Sequence, residues 1–239
     1  MKRETQNILL ILLGGALLKI AINGDYLRYV KPSQQPWIIA GGVVMLVLGV
    51  VAILRDLRGT RKSDVDDGHG HQHRVRSAWL LMVPVLAVFL VAPPALGADS
   101  VTRTGARAPQ SAVAADAAAF PPLPPGDVVP LAVNEFVSRA GWDRNGTLNG
   151  RTVSLSGFVV HTDGQTLLAR MVISCCAADA FPVTVRLTGG SADRFASDAW
   201  VEVTGQVVPG SATKGNSYTP DLAPVTLRGV GAPKDPYEY

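Results

Sequence analysis

Long apolar runs dominate the first hundred residues and predict three transmembrane helices, at about 7–23, 37–55 and 77–96. The first run contains one charge, Lys19, near its end, where the ammonium can reach the interface. The second contains none from Trp37 to Leu54 and closes at Arg55. The third is the shortest: residues 78–92 cover about 22 Å of a ~30 Å hydrocarbon layer, so the helix must continue through Leu96.

Lysine and arginine predict the orientation, because basic residues near the ends of spans resist translocation. The loop between the first two runs has only Arg28 and Lys31, whereas the other side has Lys2, Arg3, Arg55, Arg58, Arg61, Lys62, Arg74 and Arg76. A multi-pass cell-membrane protein follows, with a cytoplasmic N-terminus and an extracytoplasmic C-terminal domain. In the alternative interpretation, residues 95–97 (Ala-Leu-Gly) are a cleavage site after a signal-like third run.

Beyond the third run the pattern changes from long apolar stretches to short ones. Residues 1–97 form the predicted transmembrane region, and residues 98–127, rich in Ala and Pro and ending in FPPLPPGD, form a predicted flexible linker. Residues 128–239 form a predicted β-rich domain. The helical spacing of PLAVNEFVSRAGW predicts a short amphipathic helix at its start, with Asn134 as the cap.

Alternating apolar residues predict five strands in this domain. The first two, Thr152–His161 and Gln165–Ser174, form a hairpin around Asp163-Gly164. The others are Phe181–Leu187, Trp200–Val208 and Ala223–Val230. Five short strands with one or two helices indicate an all-β or α+β domain of the small OB-like barrel type, with a sandwich as the alternative. Gly157 and Gly205 occupy similar strand positions and are expected where strands bend.

Composition agrees with this division. The chain is 47% hydrophobic and only 17% charged, and its net charge is +3. The basic residues cluster around positions 55–76, and the predicted strands lack interleaved basic and aromatic residues. Nucleic-acid binding is therefore not expected.

The segment MVISCCAADAFP contains both cysteines of the chain, Cys175 and Cys176, with Asp179 close behind. A disulfide between them would be strained, because adjacent Cα atoms are about 3.8 Å apart. The thiols could instead bind zinc or copper together with Asp179 and with His161 from the neighbouring strand. In a third interpretation they pack as small apolar residues.

A histidine tract lies between the second and third runs, where His69, His71 and His73 alternate within DVDDGHGHQHR. Such a tract can hold a divalent metal. It has no thiols and contains glycine, so a solvated loop is the favoured interpretation.

Several segments resemble the YcgQ-type family of two-component permease subunits, an uncharacterised family of membrane proteins with a CCAAD motif. They are NGRTVSLSGFVV, RMVISCCAADAFPV, DAWVEVTGQV and PKDPYEY. Cys175, Cys176, Ala178 and Asp179 match the SCCxAD pattern, and Pro236-Tyr237 matches the terminus. The resemblance implies a membrane subunit that works beside a polytopic permease, with a link to zinc supply. It transfers no catalytic residues, so no enzyme is expected.

The leading hypothesis is therefore an accessory subunit of a membrane permease complex. Its outer domain would dock on the permease or bind a metal, zinc being the expected ion. Two alternatives remain at this point. One is an extracytoplasmic thiol redox protein or sensor, and the other is a structural membrane-anchored interaction module.

Overall fold

The computed structural model describes residues 3–59, 83, 86–87, 90–91, 94–107 and 120–239. The chain divides into two units, Met1–Pro94 and Ala95–Tyr239. The first contains long helices, and the second contains a mixed β-sheet with short helices.

Two long apolar helices form the described part of the first unit. Helix α1 is Arg3–Asn23 and helix α2 is Gln35–Gly59, and the 3₁₀ turns Asp25–Arg28 and Pro32–Gln34 lie between them. By length and composition, the segments Gln6–Asn23 and Pro32–Arg58 could each cross a membrane. These correspond to the first two predicted spans. Most of the third, 77–96, lies outside the described residues, as does the histidine tract.

Glycines allow α1 and α2 to pack closely. A Cβ atom on Gly14 would lie 2.9 Å from the carbonyl oxygen of Gly42, and one on Gly49 would lie 2.7 Å from Cγ1 of Ile11. Small residues at such contacts let helix backbones approach each other within a membrane. Near the beginning of α1 and the end of α2, Asn7 Nδ2 donates a hydrogen bond to Asp56 Oδ2 at 3.0 Å.

The second unit begins earlier than the sequence predicts. Helix α3 is Ala98–Thr104, inside the predicted linker, and Ala98 and Val101 are buried against the β-domain. The backbone N–H of Ala98 donates to Asp198 Oδ1 at 2.6 Å, and that of Leu96 donates to the Tyr237 hydroxyl at 3.2 Å. The i, i+3 spacing of two small side chains is too weak a pattern to predict this helix.

Seven strands form one mixed sheet in the order β1-β2-β5-β6-β4-β3-β7, with a further pairing between β2 and β3. The strands are β1 Val128–Pro130, β2 Thr152–Thr162, β3 Gln165–Val172, β4 Phe181–Leu187, β5 Trp200–Val207, β6 Asp221–Gly229 and β7 Tyr237–Glu238. Helix α4, Val133–Trp142, follows β1. The five predicted strands and the predicted helix are thus present, with ends that shift by one or two residues. Strands β1 and β7 were not predicted.

The pairings among the five longer strands form a circuit. Strand β2 pairs with β3, β3 with β4, β4 with β6, β6 with β5, and β5 again with β2. Only the β4–β6 pairing in this circuit is parallel. A Cβ atom on Gly157 would lie 2.6 Å from the carbonyl oxygen of Ala169, so this position of β2 needs glycine because the backbones approach closely. Gly205 lies at a register shift in the β5–β6 pairing.

Two apolar clusters stabilise the domain. The larger joins α4 to the sheet and includes Phe136, Val153, Leu155, Leu168, Val183, Val203 and Leu222. The smaller joins α3 and β7 to the other side of β2 and β3 and consists of Ala98, Val101, Phe158, Val160, Leu167, Ala169, Met171, Ile173 and Tyr237. Burial of these side chains supplies the hydrophobic contribution to stability.

Asn134 is not the cap of α4, in contrast to the prediction. The N-cap is Ala132, and the capping groups come from the far end of the sequence. The backbone N–H groups of Val133 and Asn134 donate to the two carboxylate oxygens of Glu238, at 2.9 and 2.7 Å. A carboxylate suits this position because the first N–H groups of a helix have no partner within the helix.

Glu238 also pairs with a cation on β3. Its Oε1 lies 3.4 Å from Arg170 Nε, and both side chains are only 11% exposed. The Arg170 guanidinium donates to the carbonyl of Tyr237 at 3.2 Å and stacks 4.9 Å from the centre of the Trp200 ring. Burial raises the pKa of Glu238, although the two backbone N–H groups and Arg170 act in the opposite direction. One carboxylate thus connects α4, β3 and β7.

Replacement of Glu238 by alanine should therefore destabilise the domain strongly. Loss of this carboxylate leaves two helix N–H groups uncapped and a buried guanidinium without its counter-ion, at a cost of about 3–5 kcal/mol in the free energy of unfolding. The measurement is thermal or urea unfolding of the full chain in detergent. The control is Glu202→Ala, which breaks a more exposed ion pair with Arg228 and should cost less than about 1 kcal/mol. Equal losses in the two variants would contradict the proposed role of Glu238.

Candidate metal-binding site

The two cysteines lie in the tight connection between β3 and β4. After β3 ends at Val172, the backbone N–H of Ile173 donates to the carbonyl of Glu238 at 3.0 Å, which extends the pairing with β7. The chain then turns through residues 174–176 and a single 3₁₀ turn, Ala177–Asp179, before β4 begins at Phe181. Ala177 and Ala180 pack against the smaller apolar cluster. The turn is therefore fixed to the sheet on its inner side.

The Asp179 side chain closes the turn. Its Oδ1 accepts the backbone N–H of Ser174 at 3.0 Å, and its Oδ2 accepts that of Cys175 at 2.9 Å. The backbone N–H of Asp179 in turn donates to the carbonyl of Cys176 at 3.0 Å. A short acidic side chain can make such local bonds to its own backbone, which is why this residue type suits the position.

Both thiols are free, and neither is buried. Cys175 is exposed and Cys176 is half-buried, with 3.6 Å between their sulfur atoms. A disulfide requires about 2.05 Å. The sulfur atoms are therefore too far apart for a disulfide. Because neither cysteine is buried, the interpretation in which both thiols pack inside the domain as apolar residues is wrong.

Cys175, Cys176 and Asp179 present three potential metal ligands together. One ligand atom from each residue lies within 4.8 Å of the other two. In tetrahedral zinc sites the Zn–S distance is about 2.3 Å and the Zn–O distance about 2.0–2.2 Å, so ligand atoms on one ion lie about 3.5–3.8 Å apart. The two sulfur atoms, at 3.6 Å, already have this separation, and Asp179 offers a carboxylate oxygen within 4.8 Å of them.

His161 is not part of this group. Its Nδ1 lies 3.1 Å from Thr166 Oγ1, and its Nε2 lies 2.7 Å from the carbonyl oxygen of Phe195. His161 and Thr166 are paired beside the hairpin turn, at the beginning of β3, whereas the cysteines follow the end of β3. From Thr166 to its end at Val172 strand β3 rises about 20 Å, and this length separates the imidazole from the turn that carries the thiols.

The Asp179 carboxylate and the Cys175 thiol shift each other's pKa. Burial acts to raise the pKa of Asp179, but hydrogen bonds from the Cys175 thiol and from neighbouring backbone N–H groups hold this pKa below its ordinary value. The hydrogen bond to Asp179, followed by that to Cys176, raises the pKa of the Cys175 thiol to about 11. In the metal-free protein at neutral pH, Cys175 is thus a thiol and Asp179 a carboxylate.

The sequence indicated Cys175, Cys176 and Asp179 as site residues, but it did not indicate the residues that hold the turn in place. Tyr237 and Glu238, which pair with β3 at Met171 and Val172, hold the base of the turn. The PKDPYEY terminus belongs to the resemblance described above, but a strand of two residues has no alternating pattern that could predict its pairing.

The architecture defines a class of protein: helices with two candidate membrane spans in one unit, and a mixed β-sheet domain with an adjacent pair of free thiols in the other. Within that class the family is shown by two matches. Residues 5–107 match the DUF1980 N-terminal domain, and residues 143–239 match the DUF1980 C-terminal domain. The chain belongs to the DUF1980 family. No match is found among curated proteins.

Removal of the Asp179 charge should make the Cys175 thiol more reactive. In a Cys176→Ser background, Asp179→Asn should lower the pKa of Cys175 toward its ordinary value of 9.0, because the carboxylate no longer favours the protonated thiol. Alkylation by iodoacetamide at pH 7.4 should then accelerate about tenfold or more, since the thiolate is the nucleophile.

The matched control is Asp163→Asn in the same background. Asp163 lies in the hairpin turn, at the opposite end of β3 from the cysteines, so its replacement should leave the alkylation rate of Cys175 unchanged. If Asp179→Asn also left the rate unchanged, the hydrogen bond between carboxylate and thiol would not control this pKa.

Proposed function

We propose that this chain is an accessory subunit of a membrane permease complex whose outer domain binds a metal ion, most simply zinc, through Cys175 and Cys176. Docking of the same domain on the permease is part of this proposal. The observation that carries it is the exposed group of three ligands on a turn that Asp179 has already closed. Thiolates with a nearby carboxylate are ligands for zinc and for copper.

The proposed topology has three spans, with the N-terminus in the cytoplasm and the β-domain outside. Helices α1 and α2, which could cross a membrane, support the first two spans. The third span and the orientation rest on the apolar run at 77–96 and on the distribution of lysine and arginine.

A separate permease is proposed because the two candidate spans offer little for a transport path. Within Gln6–Asn23 and Pro32–Arg58 the only acidic residue is Asp56, near the end of α2. Paired ionisable residues or interrupted helices would be expected along a route for an ion. We also propose that the chain is a permease subunit of the YcgQ type, which agrees with this arrangement.

We further propose that the β-domain is an OB-like barrel. The circuit of pairings among β2, β3, β4, β6 and β5 supports closure, and the parallel β4–β6 pairing fits a Greek-key connection. This fold does not by itself indicate a ligand. The cysteine turn is proposed as its functional edge, with no role in nucleic-acid binding or enzymatic catalysis.

The second candidate is an extracytoplasmic thiol redox protein. Two free sulfur atoms 3.6 Å apart favour it. The raised pKa of Cys175 disfavours it, because redox-active cysteines usually have a lowered pKa that makes the thiolate available. A metal ion, in contrast, displaces the thiol proton when it binds.

Zinc should protect the cysteines from a membrane-impermeant maleimide added to intact cells. The proposed topology exposes the thiols outside the membrane, and bound zinc would occupy their sulfur atoms. Labelling should therefore occur without lysis and should fall when zinc is added first. A variant with Cys175→Ser and Cys176→Ser has no cysteine and provides the background. Labelling only after lysis would disprove the topology, and labelling indifferent to zinc would disprove metal binding.

A polytopic permease should co-purify with the chain from mild detergent. The reason is that the described spans lack a transport path of their own, so function requires a partner in the same membrane. The measurement is affinity purification followed by mass spectrometry, with an unrelated membrane protein of similar size as the control. The expression level should be one at which known membrane complexes keep their partners during purification. Recovery of the chain alone at that level would contradict the accessory-subunit proposal.

A further inference from the structure

The three ligands of the cysteine turn all lie on its outer side. Cys175 and Asp179 are exposed and Cys176 is half-buried. The opposite side of the turn is apolar, because Ile173 is buried and Ala177 and Ala180 pack on the smaller cluster. An ion held by these ligands would therefore lie at the surface of the domain, with solvent on its remaining side.

No fourth ligand joins the group within residues 3–59, 94–107 and 120–239. The sequence pattern suggested His161 for this position, but both of its ring nitrogens contact other groups beside the hairpin turn. A closed structural zinc site has four protein ligands, whereas a site with three keeps a position for an exchangeable ligand.

The turn also has its shape without an ion, because hydrogen bonds within the protein hold it. Asp179 already accepts two backbone N–H groups, and Ile173 is hydrogen-bonded to the C-terminal strand β7. Arrival or departure of an ion would therefore not require the turn to fold or unfold. Such a site is suited to exchange of an ion more than to its permanent retention.

We propose that the cysteine turn is a metal transfer site, at which one imidazole or thiolate from a partner protein completes the coordination of an ion held by Cys175, Cys176 and Asp179. This inference rests on the proposed metal-binding function. Each thiol loses its proton to solvent as its sulfur binds the ion. The ion then passes to the partner by ligand exchange, without redox chemistry.

The test uses the full chain in detergent, reduced and loaded with Co²⁺ as a spectroscopic probe. Thiolate-to-cobalt charge-transfer bands report the cysteines, and the d–d bands report the coordination number. Imidazole, which stands in for the partner's ligand, is then titrated into the loaded protein. We expect one Co²⁺ per chain, and a saturable change in the d–d bands while the charge-transfer bands remain.

Matched variants assign the ligands. Asp179→Asn should weaken Co²⁺ binding about 10- to 100-fold, as expected when a carboxylate that binds or orients the site is lost. His161→Ala should leave both sets of bands and their response to imidazole unchanged. A different spectrum in His161→Ala would mean that His161 closes the site, and this would overturn the inference.

The remaining outcomes separate the inference from the function on which it rests. Charge-transfer bands with d–d bands insensitive to imidazole would indicate a closed site and would overturn the transfer role alone. One Co²⁺ shared by two chains would do the same, because a second copy would then supply the missing ligands. Absence of charge-transfer bands that depend on the cysteines would overturn metal binding itself.

Discussion

The buried carboxylate of Glu238 is the interaction on which the arrangement of the β-domain depends. It caps the first turn of α4, pairs with Arg170 on β3, and lies on a strand of two residues that adds to the edge of β3. A two-residue strand has too few backbone hydrogen bonds to hold its place unaided. The charged contacts stabilise this strand, and the strand in turn orients the end of β3, from which the cysteine turn emerges.

That constraint explains how an exposed turn can still have a defined geometry. Exposed loops usually have several accessible conformations. Here the turn is fixed at its base by Ile173 and β7, on its inner side by Ala177 and Ala180, and across its opening by Asp179. The sulfur atoms are left as the accessible part of an otherwise well-supported turn.

The fold was predictable from the sequence where local patterns determine it. Alternating β-branched residues and the Asp163-Gly164 turn predicted the β2–β3 hairpin, and the short spacing from Cys175 to Asp179 predicted that these side chains meet. Long-range contacts were not predictable. A local capping rule suggested Asn134, but the cap is Glu238, about a hundred residues away in sequence. Likewise, His161 is next to β3 in the hairpin, but at the end of β3 opposite to the cysteines.

Asp179 has two roles in the cysteine turn, and both bear on the proposed function. As an acceptor of the Cys175 thiol and of backbone N–H groups, its carboxylate keeps the metal-free turn closed and Cys175 protonated. A thiol in this state is a poor nucleophile, so it is protected from oxidation and from exchange with other thiols. In the proposed metal site a thiophilic cation would displace this proton, and the carboxylate would then face a positive charge instead of a neutral thiol. The same residue therefore disfavours redox chemistry at Cys175 and would favour the ion of the proposed site.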